Sequence, residues 1–244
     1  GPDTVVVDLA GGMLHAGFVD AHIHPIQGGL ERLGCDLSDG STLDDYARLI
    51  ADYARLNPPR GCDASRAWIT GGGWSKGAAA LVAAVAPDPT PDDEYAALLE
   101  AQRYAHSLGI TGWQDAIVGD YFGASDTALV YRRALAEGRL TADVVGALWW
   151  DRARGVEQVA DLVARRDSHA ADLGPSARFR LSSVKIMADG VVENGTASML
   201  EPYLGEFGEG EHPRGIAFVG GQALIDAIVA LDAAGFSAHV HVIG

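Results

Sequence analysis

The feature that most constrains this chain is a repeating order of short apolar run, helical run and glycine stop. Thr90-Pro91 supplies an N-cap and an N1 proline, so a helix is predicted from there to Leu108, with Gly109 as its stop. Residues 110–116 then read as a strand, 126–137 as a helix ended by Gly138, and 142–150 as a strand. A helix over 156–173 ends at Gly174-Pro175, a strand follows over 179–187, and a helix over 222–234 closes at Gly235 before a last strand over 236–243. Strand, helix, strand with such stops implies parallel βαβ units. In folds of that class chemistry collects at the C-terminal ends of the strands.

The upstream part is less regular. Residues 1–9 read as a short strand before a Gly11-Gly12 turn, and 25–40 as a loop. Ser41 or Thr42 caps a helix whose Leu43, Tyr46, Ala47, Ile50, Tyr53 and Ala54 form one apolar stripe, ending before Asn57-Pro58-Pro59. Residues 68–74 read as a strand running into Gly71-Gly72-Gly73, without the following Lys-Ser/Thr of a P-loop, and 77–86 as a helix fragment.

Two strand ends carry the same motif. Phe18, Val19, Ala21 and Ile23 are apolar between Gly17 and Pro25, as in a strand buried on both faces, and His22 and His24 are two apart, so they share a side. The last strand repeats this as His239 and His241. Paired imidazoles at a strand end are half of a metal site, or else a pair of hydrogen-bonded histidines. The cations sharpen the choice. Of 18 Lys and Arg residues only Lys76 and Lys185 are lysines, and Lys185 stands in the apolar run Ser183-Val184-Lys185-Ile186-Met187. A buried lysine beside a divalent ion is driven to its free amine, which can take up CO2 as a bridging carbamate; the alternative is a lysine that snorkels or pairs with Asp189.

The 244 residues suit one large domain or two small ones, and 48% hydrophobic residues can fill a core. A net charge of −15 argues against nucleic acid or an anionic membrane as partner. With no apolar run of about 18 residues and no basic-then-apolar leader, a soluble cytoplasmic protein is expected, with Cys35 and Cys62 as free thiols.

The runs GFVDAHIHP (17–25), VKIMADGVVENGTASMLEPY (184–203) and AHVHVIG (238–244) resemble the amidohydrolase superfamily. They look most like amidohydrolase family 3, the branch that includes N-substituted formamide deformylase-like enzymes; PIQGGLERLGCDLS (25–38) and GWQDAIVG (112–119) fit the same branch. The resemblance implies an α/β fold, a (β/α)8 TIM-type barrel holding metal at the C-terminal ends of its strands. It implies hydrolysis of an amide-type C–N bond in a small molecule by a metal-activated hydroxide. His22, His24, Lys185 and His241 match its ligand positions; Lys185 is carboxylated in many members, and His239 falls to the substrate side, so Lys185 and His239 are the expected catalytic pair. The expected cofactor is a divalent metal, Zn²⁺ first, one ion or two, with a CO2-derived carbamate on Lys185.

The pattern departs from that family in ways that carry their own expectations. The sixth-strand histidine and eighth-strand aspartate are absent, so the barrel is expected to be incomplete, strands 1 to 5 over residues 17–244, with 1–16 a remnant of a small β-sandwich and a segment missing near 76–77. The competing reading is a catalytically incomplete barrel that binds metal or a partner. Trp74, Trp113, Trp149 and Trp150 stand near strand ends as candidate pocket walls. Asp115, Asp151, Asp189 and Glu193 are candidates for orienting a ligand histidine, with Asp189 favoured. His106, His169 and His212 read as structural, and a homo-oligomer is left open.

Overall fold

The computed structural model describes residues 2–57, 69–73, 88–119, 125–174 and 177–244. Five parallel strands form the main sheet: β1 (Phe18–Ile23), β4 (Ile110–Val118), β5 (Asp143–Trp149), β6 (Phe179–Met187) and β7 (Ser237–His241), in the order β1-β4-β5-β6-β7. Two residues each of β2 (Cys35–Asp36) and β3 (Gly71–Gly72) pair in a separate parallel ladder. The described helices are α1 (Pro25–Leu33), α2 (Leu43–Leu56), α3 (Pro91–Ser107), α4 (Ala128–Ala136), α5 (Val159–Leu173) and α6 (Gly221–Ala233).

From α3 onward the elements fall within a few residues of their sequence-predicted limits. α3 begins on the reciprocal bonds of Thr90 and Asp93, each side chain reaching the other's backbone N–H, with Pro91 at the first turn. Gly109 and Gly138 follow their helices with φ of 77° and 65°, a left-handed conformation that glycine adopts without Cβ strain. The core is the helix-facing side of the sheet. Trp113, Tyr131, Leu148, Phe179 and Ile186 are all but inaccessible, and the Tyr131 and Phe179 rings stack at 4.4 Å. Each such side chain contributes about 1.5–3 kcal/mol by leaving water.

Neighbouring strands lie about 4.8 Å apart, so a flat sheet would hold β1 and β7 about 19 Å from one another. Yet His22 on β1 and His239 on β7 touch, their ring centroids 4.7 Å apart. The sheet is therefore curled, with its first and last strands facing each other across a half-barrel.

Three expectations from the sequence are corrected. β1 is an outermost strand of the sheet, and Phe18 and Val19 are 56% and 72% exposed rather than buried on both faces. Residues 2–17 carry no strand, and Val5 and Val6 are 85% and 86% exposed, because no segment among the described residues offers them a ladder. The 25–40 stretch is mainly the helix α1, not a loop. Its Gly28-Gly29 pair reads as a breaker, but Gly29 lets α1 lie directly on the α3 backbone: a Cβ there would fall 2.0 Å from the Ala97 carbonyl oxygen. In α2, Thr42 is the cap, with Asp45 completing the reciprocal pair, but no residue of the helix is buried and Leu43 is 84% exposed. Trp68 and Trp74, the 77–86 helix fragment, the expected gap near 76–77 and Cys62 lie outside the described residues.

Candidate metal centre

Strand register brings the candidate residues to one place. Lys185 on β6 pairs with His239 on β7, and Met187 with His241, so Lys185 and His239 are direct neighbours on the inner face. His22 arrives from β1 across the half-barrel. His24 lies one residue beyond that strand, where its backbone opens α1 as the N-cap and its carbonyl accepts from Gly28 N–H at 2.9 Å. The His22 and His24 rings are 5.3 Å apart at right angles. His239 Nε2 lies 2.8 Å from His22 Nδ1, and the amide N–H of Gln114 on β4 donates to His239 Nδ1. Those two contacts leave the His239 proton on Nε2, directed at His22. His241 turns Nε2 onto the Gly190 carbonyl oxygen at 2.9 Å.

Lys185 is 1% exposed, and no carboxylate among the described residues lies within ion-pair distance of it. Burial holds its amine below the usual lysine range. The histidines respond to the same surroundings. Burial lowers His22, with help from Lys185 and His241; burial, His22 and Lys185 lower His24; burial, then Lys185 and the other two imidazoles, bring His239 down to about 4. At neutral pH His22, His24 and His239 are uncharged nitrogen donors. Such donors suit a divalent transition ion. Among the described residues, however, no three His, Cys, Asp or Glu side chains stand ready around one point. Two ring nitrogens, those of His22 and His239, face each other instead. The chemistry of the donor set fits a metal, and Lys185 would add an oxygen ligand only after capturing CO2.

The remaining candidates separate clearly. Asp189 is 3% exposed but orients no histidine: its carboxylate accepts from the backbone N–H of Ser198, Ile243 and Gly244 at 3.0, 3.0 and 2.7 Å. Burial raises its carboxyl, the three N–H donors outweigh that, and the net position is below the ordinary one. It ties the segment after β6 to the segment after β7. Nor does it pair with Lys185.

Asp115 points the opposite way from Gln114, into the helix layer, where Tyr131 Oη donates to it at 2.9 Å and receives Trp113 Nε1–H at 3.2 Å. Full burial pushes its carboxyl up to about 7 against the Ile117 N–H and Tyr131 bonds. Trp150 is 3% exposed in the core, with its backbone N–H on the Lys185 carbonyl, and is no pocket wall; Trp113 is likewise buried. Trp74 lies outside the described residues. His106 and His169 bond to the Ile110 and Phe179 carbonyls, as structural histidines do. Gln114 is the one member of the cluster that sequence reasoning passed over; an amide in an otherwise apolar strand was the available signal.

Two cavities adjoin the cluster through His24. One, of about 440 Å³, lies between β1, α1 and α3, with Asp20, Glu31, Arg32 and Asp36 at its rim. The other, of about 230 Å³, lies at the end of β4. Among the described residues no helix is long and apolar enough to cross a membrane.

Residues 5–80 and 75–244 match the pattern of the Amidohydrolase family. The exoenzymes regulatory protein AepA of Pectobacterium carotovorum subsp. carotovorum is 31% identical over 144 residues, 57% of this chain and 27% of that protein. Protein LONG AFTER FAR-RED 3 of Arabidopsis thaliana is 33% identical over 75 residues, 31% of this chain and 12% of that one. The aligned segments thus span well under half of either relative. Two solved structures share the fold: uncharacterised metal-dependent hydrolases from Pyrococcus furiosus (TM-score 0.57, 17% identity) and Pyrococcus horikoshii OT3 (TM-score 0.58, 14% identity). Each match covers 94% of this chain, but 55% and 53% of the respective neighbour. With the family pattern matched along nearly its whole length, this chain belongs to the amidohydrolase family.

Proposed function

We propose that the chain contributes to the active centre of a divalent-metal-dependent hydrolase that cleaves an amide-type C–N bond in a small molecule. The observation that carries this reading is Lys185: an amine at 1% exposure, beside three imidazoles, with no carboxylate partner among the described residues. A lone buried amine costs the fold several kcal/mol, and an apolar residue of similar size would remove that cost. Chemistry is a reason to keep it. As the free base it adds CO2, forming an N–C bond and releasing a proton, and the resulting carbamate offers two oxygens.

In this reading His22, His24, His241 and carboxylated Lys185 would hold the metal, one Zn²⁺ or two. When bound, a divalent ion polarises the scissile carbonyl and lowers the pKa of water. His239, uncharged and held by Gln114, keeps its proton on Nε2 and serves the substrate as a hydrogen-bond donor. A second reading, a module that binds metal or a partner without turnover, is favoured by the His22–His239 contact, which must open before the two rings can share an ion.

The test is Zn²⁺ and Co²⁺ uptake by the purified chain under bicarbonate, with a panel of N-formyl and N-acyl amines. Stoichiometric uptake that His22→Ala and Lys185→Met abolish, with chelator-sensitive amide hydrolysis, supports the hydrolase. Uptake without hydrolysis favours the second reading. A chain that takes up no metal in any of these forms sinks the hydrolase and the metal-binding module, and leaves the partner-binding module alone.

A further inference from the structure

The 230 Å³ cavity at the end of β4 belongs neither to the imidazole cluster nor to its proposed chemistry, although His24 forms part of its wall. It holds roughly eight waters' worth of space. Its polar wall combines the acceptors Glu94, Asp115 and Thr127 with His24, Gln27 and Ser125. Glu94 of α3 is 7% exposed; one of its oxygens takes the Ser125 hydroxyl, and the other has no hydrogen bond among the described residues. Asp115 is 3% exposed on the same wall. Thr127 precedes α4 as its N-cap residue but makes no capping bond, and its Oγ1 is the buried side-chain oxygen without a partner among the described residues. No lysine or arginine among the described residues lines the space, and Ile26, Leu30 and Ile117 supply an apolar part of the wall.

A native interior seldom leaves a buried acceptor idle, because each forfeits the hydrogen bonds it had in water. Here the Thr127 hydroxyl is such an acceptor, and the Glu94 carboxylate, which meets no cation among the described residues, lines the same small cavity. Among the described residues no three carboxylate or imidazole donors converge there, so a chelated metal ion does not answer the need. A group with several N–H donors and a positive charge does, if it is carried on a short apolar stem that Ile26, Leu30 and Ile117 can cover.

We propose that this cavity binds an organic cation, a primary ammonium or a guanidinium on a short alkyl stem, and that it is the subsite for such an arm of the substrate. The word substrate rests on the hydrolase reading; the binding itself does not.

The experiment uses the whole 244-residue chain, freed of metal by chelation, and compares n-butylammonium, 1-butanol and butyrate by calorimetric titration or saturation-transfer NMR. The ammonium should bind at least about tenfold more tightly than the alcohol, with butyrate weakest, and Glu94→Gln should remove about a factor of ten of that preference, as expected for a charge-assisted bond. Thr127→Val should weaken the ammonium several-fold. Equal affinity for ammonium and alcohol, preference for butyrate, no ammonium binding by the wild type, or undiminished binding by a folded Glu94→Gln would each overturn the proposal. If Glu94→Gln does not fold by circular dichroism, Thr127→Val decides. Because metal is absent throughout, a failure here leaves the metal-uptake result standing, and the converse also holds.

Discussion

Gly28 and Gly29 are adjacent in α1, yet replacing each with alanine should change stability in opposite directions. Both have helical backbone, so alanine at either position gains about 1 kcal/mol in helix propensity and unfolded-chain entropy. At Gly28 nothing lies within 4 Å of the new methyl, so that gain is the whole effect. At Gly29 the methyl would meet the Ala97 carbonyl at 2.0 Å for oxygen and 2.5 Å for carbon, and backbone atoms inside a helix cannot swing aside as a side chain does. Separating α1 from α3 to make room costs about 1–3 kcal/mol or more. The net expectation is stabilisation of up to about 1 kcal/mol for Gly28→Ala and destabilisation of up to about 2 kcal/mol for Gly29→Ala. For a chain of this size that is a Tm rise of about 2–4 °C against a fall of up to about 8 °C. Urea unfolding and differential scanning calorimetry of the two single variants supply the measurement. His24 opens α1, so Gly29→Ala should also weaken metal uptake while Gly28→Ala leaves it alone. A stabilised Gly29→Ala variant would refute the backbone contact between the two helices, and with it the reason for the glycine pair.

Other perturbations test the buried charges. The Asp115 carboxyl, raised to about 7 by burial, keeps its proton in the folded chain where the unfolded chain, with a pKa near 3.9, releases it. Its contribution is therefore full below about pH 4 and is lost as pH rises to about 7; Asp115→Asn should flatten the stability profile between those limits, and an unchanged slope would contradict the assignment. Lys185→Met exchanges a lone buried amine for a thioether of similar size, so stability should hold or rise by about 1–2 kcal/mol while metal uptake disappears; a strongly destabilised variant would mean the amine has a structural partner. Asp189→Ala removes the acceptor for three backbone N–H groups and should cost about 2–4 kcal/mol, with loss of amide-exchange protection at Ser198 and Ile243. Gln114→Leu leaves the His239 ring free to rotate and should lower amide hydrolysis about tenfold with little change in metal uptake or Tm.

The elements after Thr90 were legible because each is signalled locally. Thr90-Pro91 favours a helix start by its own local chemistry, and Gly109 and Gly138 stop one, so no distant contact is needed to read them. The misreadings are all decided by partners. Val5 to Val7 have strand-like side chains, but a strand exists only where a neighbour supplies its ladder. Gly28-Gly29 resembles a break until Ala97 lies against it. The gathering of His22, His24, Lys185 and His239 could be anticipated from two HxH motifs at strand ends. That Gln114 holds His239, and that Asp189 ties down backbone, could not, because neither residue is near its partner in sequence.

The curl of the sheet also sets an order of events. Spatial order follows chain order among the five strands of the main sheet, so each βα unit can add to the one before as the polypeptide emerges. The contact between His22 and His239 is different: 217 residues separate them, and it exists only after β7 has docked. The centre therefore assembles last. Partly folded chains would hold a formed sheet and a scattered set of imidazoles, so that metal capture marks completion of folding rather than its beginning.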